Sequence, residues 1–182
     1  MRGFTAGQTL TMSNASGIMP GGTESFTIEM WAMNPSENTG EHRSTSIILH
    51  SGSQRTLFSL WDDRMWFNTE VRPDVPSGYL IYTADSTGVP ADNNWRHFAF
   101  VRDFPNWYMF RDGVRYSSYQ PPGSIGFATQ SIFGATSATI YIGHPNEFMS
   151  ISTWGSSSHR GFYIDDIRIT RGVALYTGAN LS

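Results

Sequence analysis

The chain has 182 residues, 39% of them apolar, with 12 Phe, 8 Tyr and 6 Trp, a composition that fits one folded domain with a sizeable interior and excludes a disordered or collagen-like polymer. All twelve cations are Arg and the formal net charge is -3, which argues against nucleic acid, held by clustered cations on phosphates, and against a polybasic membrane contact. Cysteine is absent, so disulfides, thiolate metal sites and a Cys nucleophile are excluded.

Met1 to Gly22 contains no apolar run of signal-peptide length, and no stretch of 18 apolar residues occurs anywhere; the sequence is read as encoding neither export nor membrane insertion. From there a two-residue period dominates. Phe26, Ile28 and Met30 alternate with Thr27, Glu29 and Trp31, and strand-length runs follow at Ser46 to His50, Arg55 to Trp61, Met65 to Phe67, Tyr79 to Thr83 and Trp95 to Arg102. Further runs are Trp107 to Arg111, Val114 to Tyr116, Thr139 to Ile142 and Phe162 to Thr170. They are rich in β-branched and aromatic residues and bounded by Gly, Pro, Asn, Asp and Ser. No stretch follows a 3.6-residue period, so the expectation is all-β: an antiparallel sandwich or barrel. Asp112-Gly113 between two runs predicts a type I′ hairpin turn, because both positions need positive φ. Asp62-Asp63 predicts a second tight hairpin with an acidic tip. No linker, internal repeat or stalk interrupts the chain, and residues 1–182 are read as a single domain.

Four segments then carry a resemblance. Phe26 to Trp31, Trp95 to Asp103, Phe110 to Val114 and Ile140 to Gly143 occur in the order typical of laminin-G-like domains. The stretch Gly161 to Tyr176 resembles the form found in bacteriophage virion proteins. The resemblance runs from about Phe4 to Thr177 and implies a concanavalin A-like jelly-roll sandwich whose first and last strands lie close together. Because this fold hosts lectins, glycanases, adhesion modules and capsid decorations, function has to be argued from residues.

In the last strand, strict alternation places Tyr163, Asp165, Ile167 and Ile169 on one face and Ile164, Asp166 and Arg168 on the other. Asp165 on an apolar face must accept hydrogen bonds, meet a cation or bind calcium; Asp166 and Arg168 read as a solvated ion pair. Glycoside hydrolysis needs two carboxylates flanking the bond, and Glu29 has no second acid within the strand pattern that jelly-roll glucanases use, so it reads as structural. No Gly-x-Ser-x-Gly elbow supports a Ser-His-Asp triad. His97 beside Arg96 offers residue types suited to a uronate lyase, yet its alternation with Ala99 and Val101 reads as an inward-facing, satisfied histidine. The expectation is a protein that is not an enzyme.

His42, His50, His97, His144 and His159 show no metal-ligand spacing. No cofactor is expected; Asp62, Asp63, Asp103 and Asp165 are the candidate calcium donors, calcium being a cation that takes oxygen ligands from several loops. Sugar binding needs an exposed aromatic with hydrogen-bonding groups beside it. The candidates, for glycan or for a protein interface, are Trp107, Tyr119, Phe148 and Trp154, with Asn106, Gln120, Asn146 and Ser152 nearby. Use of Arg alone suits planar interface contacts.

Together with the phage-type resemblance, these readings lead to a virion structural protein. It is expected on the virion surface as a capsid-exterior decoration, assembled in the host cytoplasm, with major capsid or tail proteins as partners, a homo-oligomer as one arrangement, and weak adhesion to host-surface glycans. The competing reading is a receptor-binding carbohydrate-binding module of a tail fibre or tail tip. The absence of a stalk before Phe26 favours the first.

Overall fold

The structure, a computed structural model, describes residues 3–5, 9–18, 20, 23–36, 44–51, 54–61, 65–71, 89–104, 106–119, 138–143 and 160–178. The strands among them are β1 (Gly3–Thr5), β2 (Thr9–Met12), β3 (Phe26–Met33), β4 (Ser44–Ser51), β5 (Gln54–Trp61), β6 (Met65–Val71), β7 (Arg96–Asp103), β8 (Asn106–Arg111), β9 (Val114–Tyr119), β10 (Thr139–Gly143) and β11 (Arg160–Arg171). The one helical element among the described residues is a 3-10 turn, Ala15–Gly17. A six-stranded sheet runs β1-β11-β3-β7-β8-β9 and a five-stranded sheet β2-β10-β4-β5-β6. Every strand pairing is antiparallel. The all-β expectation holds, and β1 lies on β11 as the resemblance implied.

Alternation decides which side chains fill the space between the sheets. Phe26, Ile28, Met30 and Ala32 of β3 and Phe98 and Phe100 of β7 face Ile47 and Leu49 of β4, Phe58 and Leu60 of β5 and Ile140 of β10, all buried in one cluster. Phe58 meets Phe26 edge-on at 5.9 Å and Phe100 at 5.3 Å between ring centroids. Each buried Phe or Ile stabilises by about 1.5–3 kcal/mol, so this interior dominates the folding free energy.

The predicted Asp112-Gly113 turn is present, with φ of 49° and 81°, joining Arg111 to its partner Val114. It is also tied sideways to β7: Asp112 N–H donates to the His97 carbonyl and its Oδ1 accepts from His97 N–H, each at 2.9 Å. The β5–β6 hairpin forms, with Leu60 opposite Met65, while its Asp62-Asp63 tip lies outside the described residues, as does Tyr79 to Thr83. At the other end of β3, Asn34 Nδ2 donates to the Val89 carbonyl at 2.8 Å, and Asn93, at φ 60°, exchanges hydrogen bonds with Ser36. The approach to β7 is thereby fastened to the exit of β3.

Strand β11 departs from the expected phase. Asp165 pairs with Trp31 and Arg168 with Glu29, so three steps on β11 match two on β3. Asp166 absorbs the extra residue at φ 48°, a left-handed conformation that Asp tolerates better than most side chains. The bulge inverts the alternation: Phe162 and Ile164 face the core before it, Ile167 and Ile169 after it. Asp165 therefore does not share a face with Ile167 and Ile169 as strict alternation predicted; it is exposed on the outer face.

Asp166→Val puts a β-branched side chain at this positive φ and should cost about 1–3 kcal/mol. Asp166→Gly keeps both the residue count and the positive φ and should stay within about 1 kcal/mol of the parent. Urea unfolding of the two variants checks this; equal stability would mean that position 166 does not need the left-handed conformation.

Candidate functional site

The outer face of the six-stranded sheet carries most of the described chemistry. Register places its residues in rows across β11, β3 and β7: Asp165, Trp31 and His97; then Arg168, Glu29 and Ala99; then Thr170, Thr27 and Val101. After β11 the chain turns at Gly172, φ 75°, and residues 173–176 run back over this face. Thr27 Oγ1 donates to the Val173 carbonyl at 3.2 Å and accepts from Leu175 N–H at 2.9 Å. Ala174 and Tyr176 pack on Ala99, Val101 and Phe110, a second apolar cluster. This strap buries the lower rows, whereas Trp31 stays 40% exposed.

At the junction of strap and sheet sits Glu29, whose side chain is 4% exposed. Its Oε1 accepts from the Arg168 guanidinium. Its Oε2 accepts from His97 Nε2 at 3.1 Å and from the Tyr176 hydroxyl at 2.7 Å. A buried carboxylate is tolerated only when its lone pairs are filled, and these three donors fill both oxygens. The Glu29 hydrogen bond and charge raise the Arg168 pKa above its ordinary value. Burial, followed by the hydrogen bond to Glu29, raises that of the Tyr176 phenol. The His97 ring is packed between Trp31, at 5.5 Å, and Tyr176, at 6.4 Å. Such a carboxylate is poorly placed to shuttle protons to a bound substrate.

His97 does share a face with Ala99 and Val101 and is satisfied, as expected, but that face is the outer one, roofed by the strap, and not the space between the sheets. Arg168 pairs across strands with Glu29 and not along its own strand with Asp166. Trp107 requires a correction: it is a β8 residue, 7% exposed, with its ring edge-on to Phe26 at 5.6 Å and the buried Arg102 guanidinium 5.1 Å above it. Strand alternation turns it into the core, so it offers no surface to a sugar or partner. Burial draws the Arg102 pKa down to about 10, which leaves it charged at neutral pH. Tyr119 ends β9 opposite Trp107, its side chain outside the described residues; Phe148, Trp154, Asp62 and Asp63 also lie outside them.

Asp103 and Asp165 are not brought together. Asp165 lies in the row of His97, and Asp103 is six residues further along β7, about 20 Å away at strand rise. Among the described residues no group of three or more His, Cys, Asp or Glu could hold a metal ion.

What sequence reasoning missed is the open upper end of this face. Trp31 is flanked by Asp165, and Tyr163 is opposite Met33 one row beyond. The rhythm of Phe26, Ile28 and Met30 turned inward already implied that Trp31 points outward. Tyr163 follows from the same logic applied to Phe162 and Ile164. Around the Trp31 ring, Asp165 makes one hydrogen bond, Oδ1 accepting Asp166 N–H at 3.0 Å. Among the described residues the side chains of Tyr163 and Asp166 make no hydrogen bond, which leaves polar groups beside an exposed indole.

Two facing antiparallel sheets with nonlocal strand order define a lectin-like β-sandwich. The chain belongs to the concanavalin A-like lectin/glucanases superfamily, whose laminin-G-type family matches residues 4–174. No curated protein sequence matches it. Among solved structures it is similar to domain 4 of AbnA, an extracellular arabinanase from Geobacillus stearothermophilus, seen with arabinotriose. That match has 19% identity and a TM-score of 0.53, and covers 86% of this chain and 66% of that one. It is also similar to a heptameric SAP-like pentraxin from Limulus polyphemus, at 12% identity and TM-score 0.52, covering 92% and 73%. A CBM2 module of the evolved Dit of Lactobacillus casei BL23 phage J-1 matches at 14% identity and TM-score 0.47, covering 92% and 70%, a likeness too slight to carry an argument. At such identities the first two matches bear on fold alone.

The Glu29 hub is expected to fix the strap. Glu29→Ala should cost about 2–3 kcal/mol, below the full value for a buried pair because Arg168 is largely exposed. Tyr176→Phe should cost about 1.5 kcal/mol for one hydrogen bond to a carboxylate. With the folded-state phenol pKa raised, folding favours the neutral phenol. The Tyr176 contribution is then full below about pH 10 and lost as pH rises through the higher folded value. The stability gap between the parent and Tyr176→Phe, measured by urea unfolding, should be constant from about pH 7 to 9 and shrink above about pH 10.

Proposed function

We propose that the chain is a non-catalytic glycan-binding module carried on a bacteriophage virion, where it decorates the capsid exterior and adheres to host-surface sugars. The observation that carries glycan binding is Trp31, exposed on the outer sheet face with Asp165 on one side and His97 on the other. An indole stacks on the apolar face of a pyranose, while neighbouring carboxylate, hydroxyl and ring N–H groups take the sugar hydroxyls. Binding without cleavage is supported by Glu29, the acid nearest this platform on β3, whose side chain is 4% exposed beneath the strap and so offers a stacked sugar no accessible catalytic carboxylate from that strand.

The virion setting is supported by the phage-type resemblance of Gly161 to Tyr176. That segment is β11 and the strap, the part of the chain that builds the outer face. Other virion proteins would be the docking partners, with aromatic and Arg anchors supplying most of the energy.

Trp31→Ala should leave the unfolding midpoint within a few degrees of the parent while weakening binding to immobilised bacterial-surface glycans about tenfold, the loss expected for a stacked aromatic anchor. Titration calorimetry and a glycan array measure it. Glycan binding undiminished in this variant would remove Trp31 from the site, and release of reducing ends from any bound glycan would end the non-catalytic reading. Fractionation of purified particles tests the setting: hundreds of copies that partition with the capsid fit decoration, a few copies at the tail fit a receptor-binding module, and absence from particles refutes both.

A further inference from the structure

Resting on the glycan-binding reading above, we infer that the Trp31 platform selects uncharged sugars and rejects uronates and other anionic glycans. The charges around the indole decide this. Asp165 stands directly opposite Trp31 on β11, and Asp166 follows it in the bulge; both are exposed. Neither meets a cation: Asp165 accepts the Asp166 N–H, and no ion pair joins either carboxylate to a described residue. Arg168, the guanidinium nearest to them on the strand, turns its Nε and Nη2 to Glu29 in the next row. Arg96, at the start of β7, is committed to Asp92, with Nη2 to Oδ2 at 2.6 Å. His97 directs Nε2 to Glu29.

A pyranose stacked on Trp31 therefore meets carboxylates that are free to accept and cations that are already engaged. Neutral sugars suit this arrangement, since each hydroxyl can donate to Asp165 Oδ2 in a charge-assisted hydrogen bond, among the stronger ones available. A sugar carboxylate would sit within several ångströms of two like charges, with no free counter-charge among the described residues around the indole, a repulsion that disfavours wrong ligands more than it favours right ones. The bulge is what creates this bias. In a regular strand of the same sequence, Asp166 would fall on the core side of β11 and Ile167, not Arg168, would stand opposite Glu29.

The test uses paired oligosaccharides that differ only at C6, neutral hexose oligomers against the corresponding hexuronate oligomers, titrated into the full chain at low salt. The parent is expected to bind the neutral member at least about tenfold more tightly, as two like charges at this range imply in a largely aqueous site. In Asp165→Asn/Asp166→Asn, the gap should close to within about threefold, mainly by improved uronate binding; Asn tolerates the left-handed φ at position 166, and near-parental circular dichroism and melting confirm folding. Raising salt should narrow the parent's gap and leave that of the double variant unchanged. Uronates bound as tightly as neutral sugars by the parent, or a gap unchanged in the double variant, would overturn the inference while leaving glycan binding standing. If the parent binds neither series, the glycan-binding reading falls and this inference falls with it.

Discussion

A single buried carboxylate holds the outer face of this sandwich together. Glu29 lies in the middle of β3, on the side away from the interior, where an acid would ordinarily be solvated. Here the chain after β11 folds back and removes the water, and the carboxylate keeps its charge by accepting from β11, β7 and the strap at once. An amide could supply one acceptor oxygen where the carboxylate supplies two, and would offer two unwanted donors to the same partners. The requirement for an acid at this position thus follows from the number of donors that converge on it. It needs no catalytic duty to explain it.

The hub works only because β11 is one residue out of step. A regular strand facing Asp165 to Trp31 would place residue 167 opposite Glu29, and an isoleucine would enter the ion network. The left-handed Asp166 shifts Arg168 into that place and returns Ile167 and Ile169 to the interior. One local backbone irregularity therefore satisfies a core, a charge pair and an exposed acidic edge together, which is why bulges of this kind behave as features of a fold and not as defects. The strap follows from the same geometry, since Gly172 lets the chain reverse directly after the strand and bring Tyr176 over Ala99, Val101 and Phe110.

Much of this was legible in the sequence, for a physical reason: a strand buried on one face announces itself by period two, and β3, β4, β5, β7, β8 and β10 each do. The Asp112-Gly113 turn was legible because few dipeptides accept two positive φ values. Strands β1 and β2 escaped notice, being three and four residues long at the sheet edges, where packing demands little of side chains. The phase of β11 was illegible because Asp at a left-handed position leaves no pattern distinct from Asp in a regular strand. Trp107 misled for a related reason: next to Pro105 and Asn106 it reads as a loop aromatic, while its partner Arg102, itself buried, gives no hint in sequence that the two meet between the sheets. Which of the two faces of β3 and β7 lay outward also depended on the opposing sheet, a nonlocal fact.

The division between the two ends of the outer face carries the functional argument. At the lower end, Glu29 and Thr27 are matched by hydrogen bonds, and Ala99, Val101 and Phe110 lie under the strap. At the upper end Trp31 stays 40% exposed, while Tyr176 of the strap covers its neighbour His97. A structure under selection for stability alone would gain by extending that cover, because burying an indole is among the larger apolar contributions available. Leaving it open beside uncommitted carboxylates forgoes that gain, and exposed aromatics of this kind are what a binding surface requires. The Glu29 network also holds His97 against the indole of Trp31, which restricts the orientation of the exposed ring.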